Sequence, residues 1–462
     1  VSGPGGPGSV LLVAHGLPPE EASGTPLVAA GYARELAARG WTVVVMTAAA
    51  GGPPWGSLGV ERRDDEPFFR LPVRPVTFRG LPWPLDAPLH PPAGLPPPAG
   101  AEATDPTRAL GTLLRRLRPD VVHIVDNVHL PLAIGEVAHR QGIPVVRTVA
   151  CAEDLCALVA PVSPRSGPAG FCPAPLTPQR CAACVMASSD EAWARFASGD
   201  DPVVDRRRQR QLERLLEVKR ARTVQAFTDV YDRVVFASAS FRRYFEQTVP
   251  LDPGRTVVVP MGVDLVAGPG SGPPPHQPAT PGAPLRLLLA ASADRAKGVA
   301  AVVEAFGAEP IARRDDWRLT LAGGGDRSLF GPLLGDRRVT DRGPYTPAEL
   351  AGLAAEADVG LSTSVFETFH RVTREYLAAG LAVVGSTAFG ITDVVVDGGN
   401  GLLFDHLRPG SLVEALVRLL DDRALVAALR RGARATAVRS VAEEVDDLVA
   451  LYHEVRDEPP VA

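Results

Sequence analysis

The feature that most limits what this chain can become is a rhythm that runs twice. Short apolar runs alternate with helical stretches, pause in a segment crowded with Gly, Pro and Ser from Val266 to Pro284, and then begin again. In the first half Val10–Ala14, Trp41–Thr47, Asp120–Val125, Ile143–Val149, Asp232–Phe236 and the run from Thr256 read as strands. Gly24–Arg39, Thr107–Arg118 and Leu130–Gln141 lie between them as helices. Strands that alternate with helices build parallel sheets covered on both faces. The second half repeats the order: Leu285–Ala290, Trp317–Ala322 and Val359–Ser362 are strands, with helices from Lys297 to Phe306 and over Pro347–Ala357. Residues 51–107, rich in Pro and Gly, show few clear periods.

The expectation is therefore an α/β chain of two Rossmann-like domains facing a central cleft. Residues 1–265 form the first, with a Cys-rich insertion at about 151–230; 266–284 is a linker, 285–440 the second domain, and 441–462 a last helix. At 462 residues there is core enough for each. A net charge of −5 gives no reason to expect nucleic acid as partner. No apolar run approaches a membrane span, and Val10–Ala14 lacks the basic flank and cleavage site of a leader, so the sequence reads as cytoplasmic.

Chemistry concentrates at Glu367 and Glu375, which flank Thr-Phe-His-Arg-Val-Thr-Arg. On one helix, residues eight apart are rotated by roughly 80° and do not share a stripe. A loop position for Glu367, with Glu375 inside the helix that follows, lets both reach one ligand over the helix N-terminus. Such a terminus offers unpaired N–H groups and partial positive charge to a diphosphate. After it come a buried strand at Ala382–Ser386, a Gly turn, and an Asp-Gly/Asn-Gly turn before Gly401–Phe404.

From Ser364 to Phe404 the chain resembles the signature region of glycosyltransferase family 4, retaining enzymes of the GT-B fold that use nucleotide-sugar donors. Other segments agree. Pro18–Gly24 resembles the loop after the first strand, where Gly24 admits the donor, and Val259–Asp264 resembles a Pro-Asn-Gly-Val-Asp segment with Met261 in place of Asn. Ala290–Gly298 matches the segment carrying the donor-phosphate cation. The chain has 48 basic residues, and only Lys219 and Lys297 among them are lysines. Keeping an ammonium at Lys297 in so Arg-rich a sequence marks it as the phosphate group's partner. The resemblance implies that Glu367 holds sugar hydroxyls, Glu375 the ribose, and Phe369-His370 the helix N-terminus. The last helix would cross back to the first domain.

The sequence also departs from the pattern. A Gly-Arg pair expected before the lysine is Ala291-Ser292, so one phosphate cation is missing, and Arg295 or Arg371 is the candidate to supply it. A His expected after the strand ending at Val149 is Ala150, and His370 stands where the family has Gly. Glu153, Asp154 and His370 are open alternatives for the lost imidazole, while His123, inside a strand, reads as structural; His129 is nearby. Cys156, Cys172, Cys181 and Cys184 have the spacing of a closed, structural zinc site, similar four-cysteine insertions occur in some relatives, and Cys151 is left over. No catalytic metal is expected. The basic helix at 205–222 reads as a solvated face, with peripheral contact to anionic lipid or an acidic acceptor as the alternative. The implied activity is retaining transfer of a sugar from a nucleotide-diphosphate sugar to an acceptor hydroxyl on a small molecule, lipid or glycan. A silent nucleotide-sugar-binding protein and a nucleotide-sugar epimerase remain open beside it.

Overall fold

The computed structural model describes residues 6–18, 24–48, 58–59, 73–78, 106–127, 130, 132–156, 161–162, 172–188, 202–264 and 282–458. His129, most of the Pro- and Gly-rich stretch and nearly all of the linker lie outside these residues. Among them are two sheets. The first contains β1 (Ser9–Ala14), β2 (Thr42–Ala48), β3 (Leu58–Gly59), β4 (Val73–Phe78), β5 (Val121–Ile124), β6 (Val145–Val149), β7 (Arg233–Phe236) and β8 (Thr256–Val258). The second contains β9 (Leu285–Ala290), β10 (Trp317–Ala322), β11 (Val339–Gly343), β12 (Val359–Ser362), β13 (Ala382–Ser386) and β14 (Gly401–Phe404).

The first sheet runs β3-β4-β2-β1-β5-β6-β7-β8 and the second β11-β10-β9-β12-β13-β14. Every pairing is parallel except that of β3 with β4. Parallel strands are covered on both faces, which is why β5, β6 and β13 are buried at every position. Each sheet has one core per face: Leu11, Val13 and Val122 point to one side of the first and Val10, Leu12 and Val121 to the other. The second sheet repeats the division with Leu287 and Leu289 against Leu288 and Ala290.

The order in which successive strands are added reverses between β1 and β5 in the first sheet and between β9 and β12 in the second. A crevice opens at such a switch point, outside the carboxyl ends of the strands, and ligands bind there. The helix Val441–Asp457, started by a capping box of Ser440 and Glu443, packs Val445, Leu448 and Tyr452 into the first sheet's core. Two crossings between lobes lie side by side: Val263 N–H donates to Arg439 O at 2.9 Å. A side chain at Gly262 would strike the Ser440 carbonyl at 2.0 Å, so only glycine permits that approach.

Candidate functional site: paired charges at two switch points

At the second switch point the loop after β9 and the loop after β12 are sewn together. Val365 N–H donates to Ala296 O at 2.8 Å, and Thr363 Oγ1 donates to Lys297 O at 2.8 Å. Asp294 caps the short turn Arg295–Lys297 by accepting Lys297 N–H at 3.0 Å. Ser292, in the place of the expected Arg, donates to Asp294 Oδ2 at 2.6 Å and so serves the loop. The result is that Lys297 Nζ donates to Glu367 Oε1 at 2.6 Å. Burial pushes Glu367 up, but Lys297 and His370 outweigh it and hold the carboxyl below its ordinary value. Burial lowers Lys297 and Glu367 more than reverses it, so the ammonium titrates above its ordinary value. The pair is charged at neutral pH, with the lysine side chain 31% exposed.

The helix Arg371–Ala378 begins against this pair. His370 caps it in the left-handed conformation, φ 60° and ψ 77°, with Nδ1 accepting Thr373 N–H at 3.2 Å. Its Nε2 lies 3.8 Å from Glu367 Oε1. Glu375, inside the helix as the spacing required, is 8% exposed, and burial raises its carboxyl above the ordinary value although Arg371 opposes this. Arg371 Nη2, on the guanidinium expected as a candidate phosphate cation, reaches Glu375 Oε1 at 3.4 Å. Arg295 is exposed. Gly24 opens the helix Gly24–Ala38 and is exposed. The residues brought together are thus Lys297, Glu367, Phe369, His370, Arg371 and Glu375, with Arg295 and Gly24 outside that cluster of bonds.

Sequence reasoning missed Arg374. It is buried, donates to the carbonyls of Phe369 and Gly390, the latter at 3.1 Å, and lies 3.6 Å over the Phe369 ring. Burial pulls its guanidinium down to about 10. It fixes the loop that carries Phe369 and His370, and a lone Arg in a helix gives no sequence signal of that task.

The first switch point faces the second. Thr368 Oγ1 donates to Ala150 O at 2.7 Å, and Phe369 packs in the same core as Ala150. Sequence reading also missed a dyad here: buried Asp126, just past β5, accepts His15 N–H at 3.0 Å and pairs with His15 Nδ1 at 2.8 Å, just past β1. Cys151 Sγ lies 3.0 Å from Thr25 Oγ1, and its thiol is pushed up by burial and by Glu153 and Asp126. Glu153 and Asp154 are both gripped by buried Arg147, at 2.6 and 2.5 Å, so neither stands in for the lost imidazole. His123 is confirmed as structural, held between Tyr452 Oη at 2.5 Å and Thr148 Oγ1 at 2.7 Å, and burial drives it down to about 3.

Cys181 lies among Cys172, Cys184 and the Arg220 guanidinium, and its thiol is raised by burial. Arg220 Nη2 donates to Leu155 O at 2.8 Å, whereas its buried Nη1 has no partner among the described residues. No three His, Cys, Asp or Glu side chains among the described residues are arranged to hold a metal ion. Cys172, Cys181 and Cys184, expected to share a zinc, thus lie near one another without a formed coordination shell among the described residues. Among the described residues no helix is long and apolar enough to cross a membrane.

Two parallel-sheet lobes with a charged cleft between their switch points define a GT-B architecture. Residues 23–262 match the family described as glycosyl transferase 4-like domain, and residues 284–422 match glycosyl transferases group 1. The chain belongs to the group 1/4-like glycosyltransferase family. It is 34% identical over 177 residues to a D-inositol 3-phosphate glycosyltransferase of Arthrobacter sp. (strain FB24), covering 36% of this chain and 42% of that protein. The same-named protein of Xylanimonas cellulosilytica is 32% identical over 235 residues, 45% of this chain and 55% of its own length. The chain thus matches about half the length of these curated relatives. A sucrose-phosphate synthase from Thermosynechococcus elongatus shares the fold with TM-score 0.61 and 18% identity, over 97% of this chain and 99% of that one. Anabaena HepE, solved in complex with UDP, does so with TM-score 0.60 and 14% identity, over 97% and 100%.

Proposed function

We propose that this protein transfers a glycosyl group from a nucleotide-diphosphate sugar to an acceptor hydroxyl, with retention at the anomeric carbon. The observation that carries the reading is the Lys297–Glu367 pair at the switch point of the second sheet. Breaking a sugar–phosphate bond leaves negative charge on the departing diphosphate and positive charge on the anomeric carbon. Fixed charges aimed at those positions lower the barrier without reorganising at the moment of reaction. On donor binding Lys297 turns from Glu367 to the phosphates, and Glu367, released, accepts the sugar's hydroxyls. Glu375 exchanges Arg371 for the ribose in the same way. The helix N-terminus at His370–Arg371 adds partial positive charge beneath the diphosphate. The acceptor enters from the first lobe, where His15 and Asp126 stand at the opposite switch point.

Retention follows when the acceptor attacks on the face the phosphate leaves and that phosphate takes the acceptor's proton. Closure of the two lobes excludes water and limits hydrolysis. Ala150, where the family has His, favours a second reading: a protein that binds a nucleotide sugar without turning it over. A thermal-shift screen with UDP, GDP and ADP and their hexose conjugates, followed by turnover assays with and without polyol acceptors, separates the two. Stabilisation by a sugar conjugate with turnover supports transfer, and stabilisation without turnover supports the silent binder. No stabilisation by any conjugate overturns both.

A further inference from the structure

We infer that His370 is a donor-positioning residue whose imidazole Nε2–H and the Glu367 carboxylate together grip one hydroxyl of the glycosyl group. The inference rests on the donor site proposed above. Its first support is the backbone: φ 60° costs a residue with a Cβ about 1–2 kcal/mol relative to glycine. Capping the helix does not require that cost to be met by an imidazole. Asn, Asp and Ser are the better caps, and Asn tolerates the left-handed region more readily. What histidine adds is a second ring nitrogen on the far side.

The backbone cap goes with one tautomer. Nδ1 accepts Thr373 N–H at 3.2 Å and lies 2.5 Å from Thr373 Oγ1, and the tautomer that keeps the backbone cap carries its hydrogen on Nε2. Burial, with Lys297 and Arg374 adding to it and Glu367 opposing, pushes the ring down to about 4, so it is neutral at working pH. Nε2 faces Glu367 Oε1 at 3.8 Å, too far for a hydrogen bond between them. An oxygen about 2.8 Å from each atom fits the apex of that pair. A hydroxyl, of a sugar or of a water that the sugar displaces, fits it, because the group must accept from Nε2–H and donate to the carboxylate. A phosphate oxygen has no proton to give. Lys297, which holds Oε1 in the unliganded chain, leaves for the diphosphate and vacates the acceptor lone pair.

The test uses His370→Gly and His370→Asn in the full chain. Glycine relieves the backbone, and asparagine keeps a cap. Affinities are measured by calorimetry for UDP, GDP and ADP and for their glucose and mannose conjugates. Both variants should fold, and the sugar conjugate should weaken by about five- to tenfold more than the nucleoside diphosphate does, the worth of one neutral hydrogen bond. Equal loss for diphosphate and conjugate, full affinity for the conjugate in either variant, or loss in the glycine variant alone each reduces His370 to a cap and overturns the inference. If the wild type binds no member of the panel, the donor site itself is refuted and this inference falls with it.

Discussion

Lys297 and Glu367 each neutralise the other, and that mutual occupation sets what single substitutions do. Removing Lys297 takes away the diphosphate's partner and leaves Glu367 with Ser364 and His370 but no full positive charge beside it. Lys297→Met should therefore weaken nucleoside diphosphate binding by at least about tenfold, the loss of one charge-assisted hydrogen bond. Glu367→Gln acts in the opposite sense on the same ligand. It frees Nζ, so diphosphate binding should rise by a few fold while the sugar conjugate loses affinity. Calorimetry on the two variants decides the matter, since a parallel loss in both would show that the pair is a structural bridge and not a donor clamp. Arg147 offers a control away from the donor. It is wholly buried between Glu153 and Asp154, so Arg147→Leu leaves two carboxylates uncompensated and should cost about 3–5 kcal/mol in chemical denaturation.

Among elements, the helix Val441–Asp457 is the one whose stability should follow pH. Glu444 in its first turn accepts Gly262 N–H at 2.8 Å and the Tyr32 hydroxyl, joining the crossing helix to the first lobe. Burial pushes its carboxyl from 4.5 up to about 7, against opposing hydrogen bonds from Tyr32 and Gly262. Folded chains hold this proton up to about pH 7, whereas unfolded chains release it near 4.5. Between those values the folded state binds more protons, so raising pH favours unfolding, and the loss is complete above about 7. The difference corresponds to about 3 kcal/mol. Glu444→Gln should therefore gain on the wild type as pH rises from 5 to 8 in thermal scans. A Tm difference independent of pH would contradict it.

The same scale shows what could be read from sequence. The alternation of strands and helices was legible because parallel strands are buried on both faces and read as unbroken apolar runs, such as Leu11–Ala14. Glu367 and Lys297 were legible because turn residues place them at element ends, and Glu375 because its spacing from Glu367 puts it inside the helix that follows. His15 and Asp126 were not, since residues 111 apart meet only through the adjacency of β1 and β5. Nor was the direction of Arg371, because a guanidinium one turn before Glu375 can reach either that carboxylate or the ligand.

At the scale of the whole molecule, the cleft is bounded behind by the double crossing at Gly262 and Ser440 and in front by a seam between lobes. Asp393 of the second lobe accepts Ser238 Oγ at 2.8 Å and Ser240 N–H at 3.1 Å from the first. Burial raises this carboxyl, but the Ser240 and Ser238 hydrogen bonds outweigh it and hold it below its ordinary value. Beside it Phe389 packs on Tyr244 with centroids 4.9 Å apart, and Phe366 meets Phe241 at 5.8 Å. An opening of the cleft about the rear crossing would separate these partners, so the seam is expected to favour a closed form. Asp393→Ala strands the two serines and Phe389→Ala removes apolar contact. Neither residue touches the Lys297–Glu367 pair. The double variant should show a larger radius of gyration than the wild type by small-angle scattering without ligand, and return toward it when a nucleotide sugar binds. Apparent affinity falls by the fraction of chains left open, since closure must now come from the ligand's own binding energy. If the radius is unchanged while Tm drops, the seam contributes packing alone and the lobes are held shut from the rear.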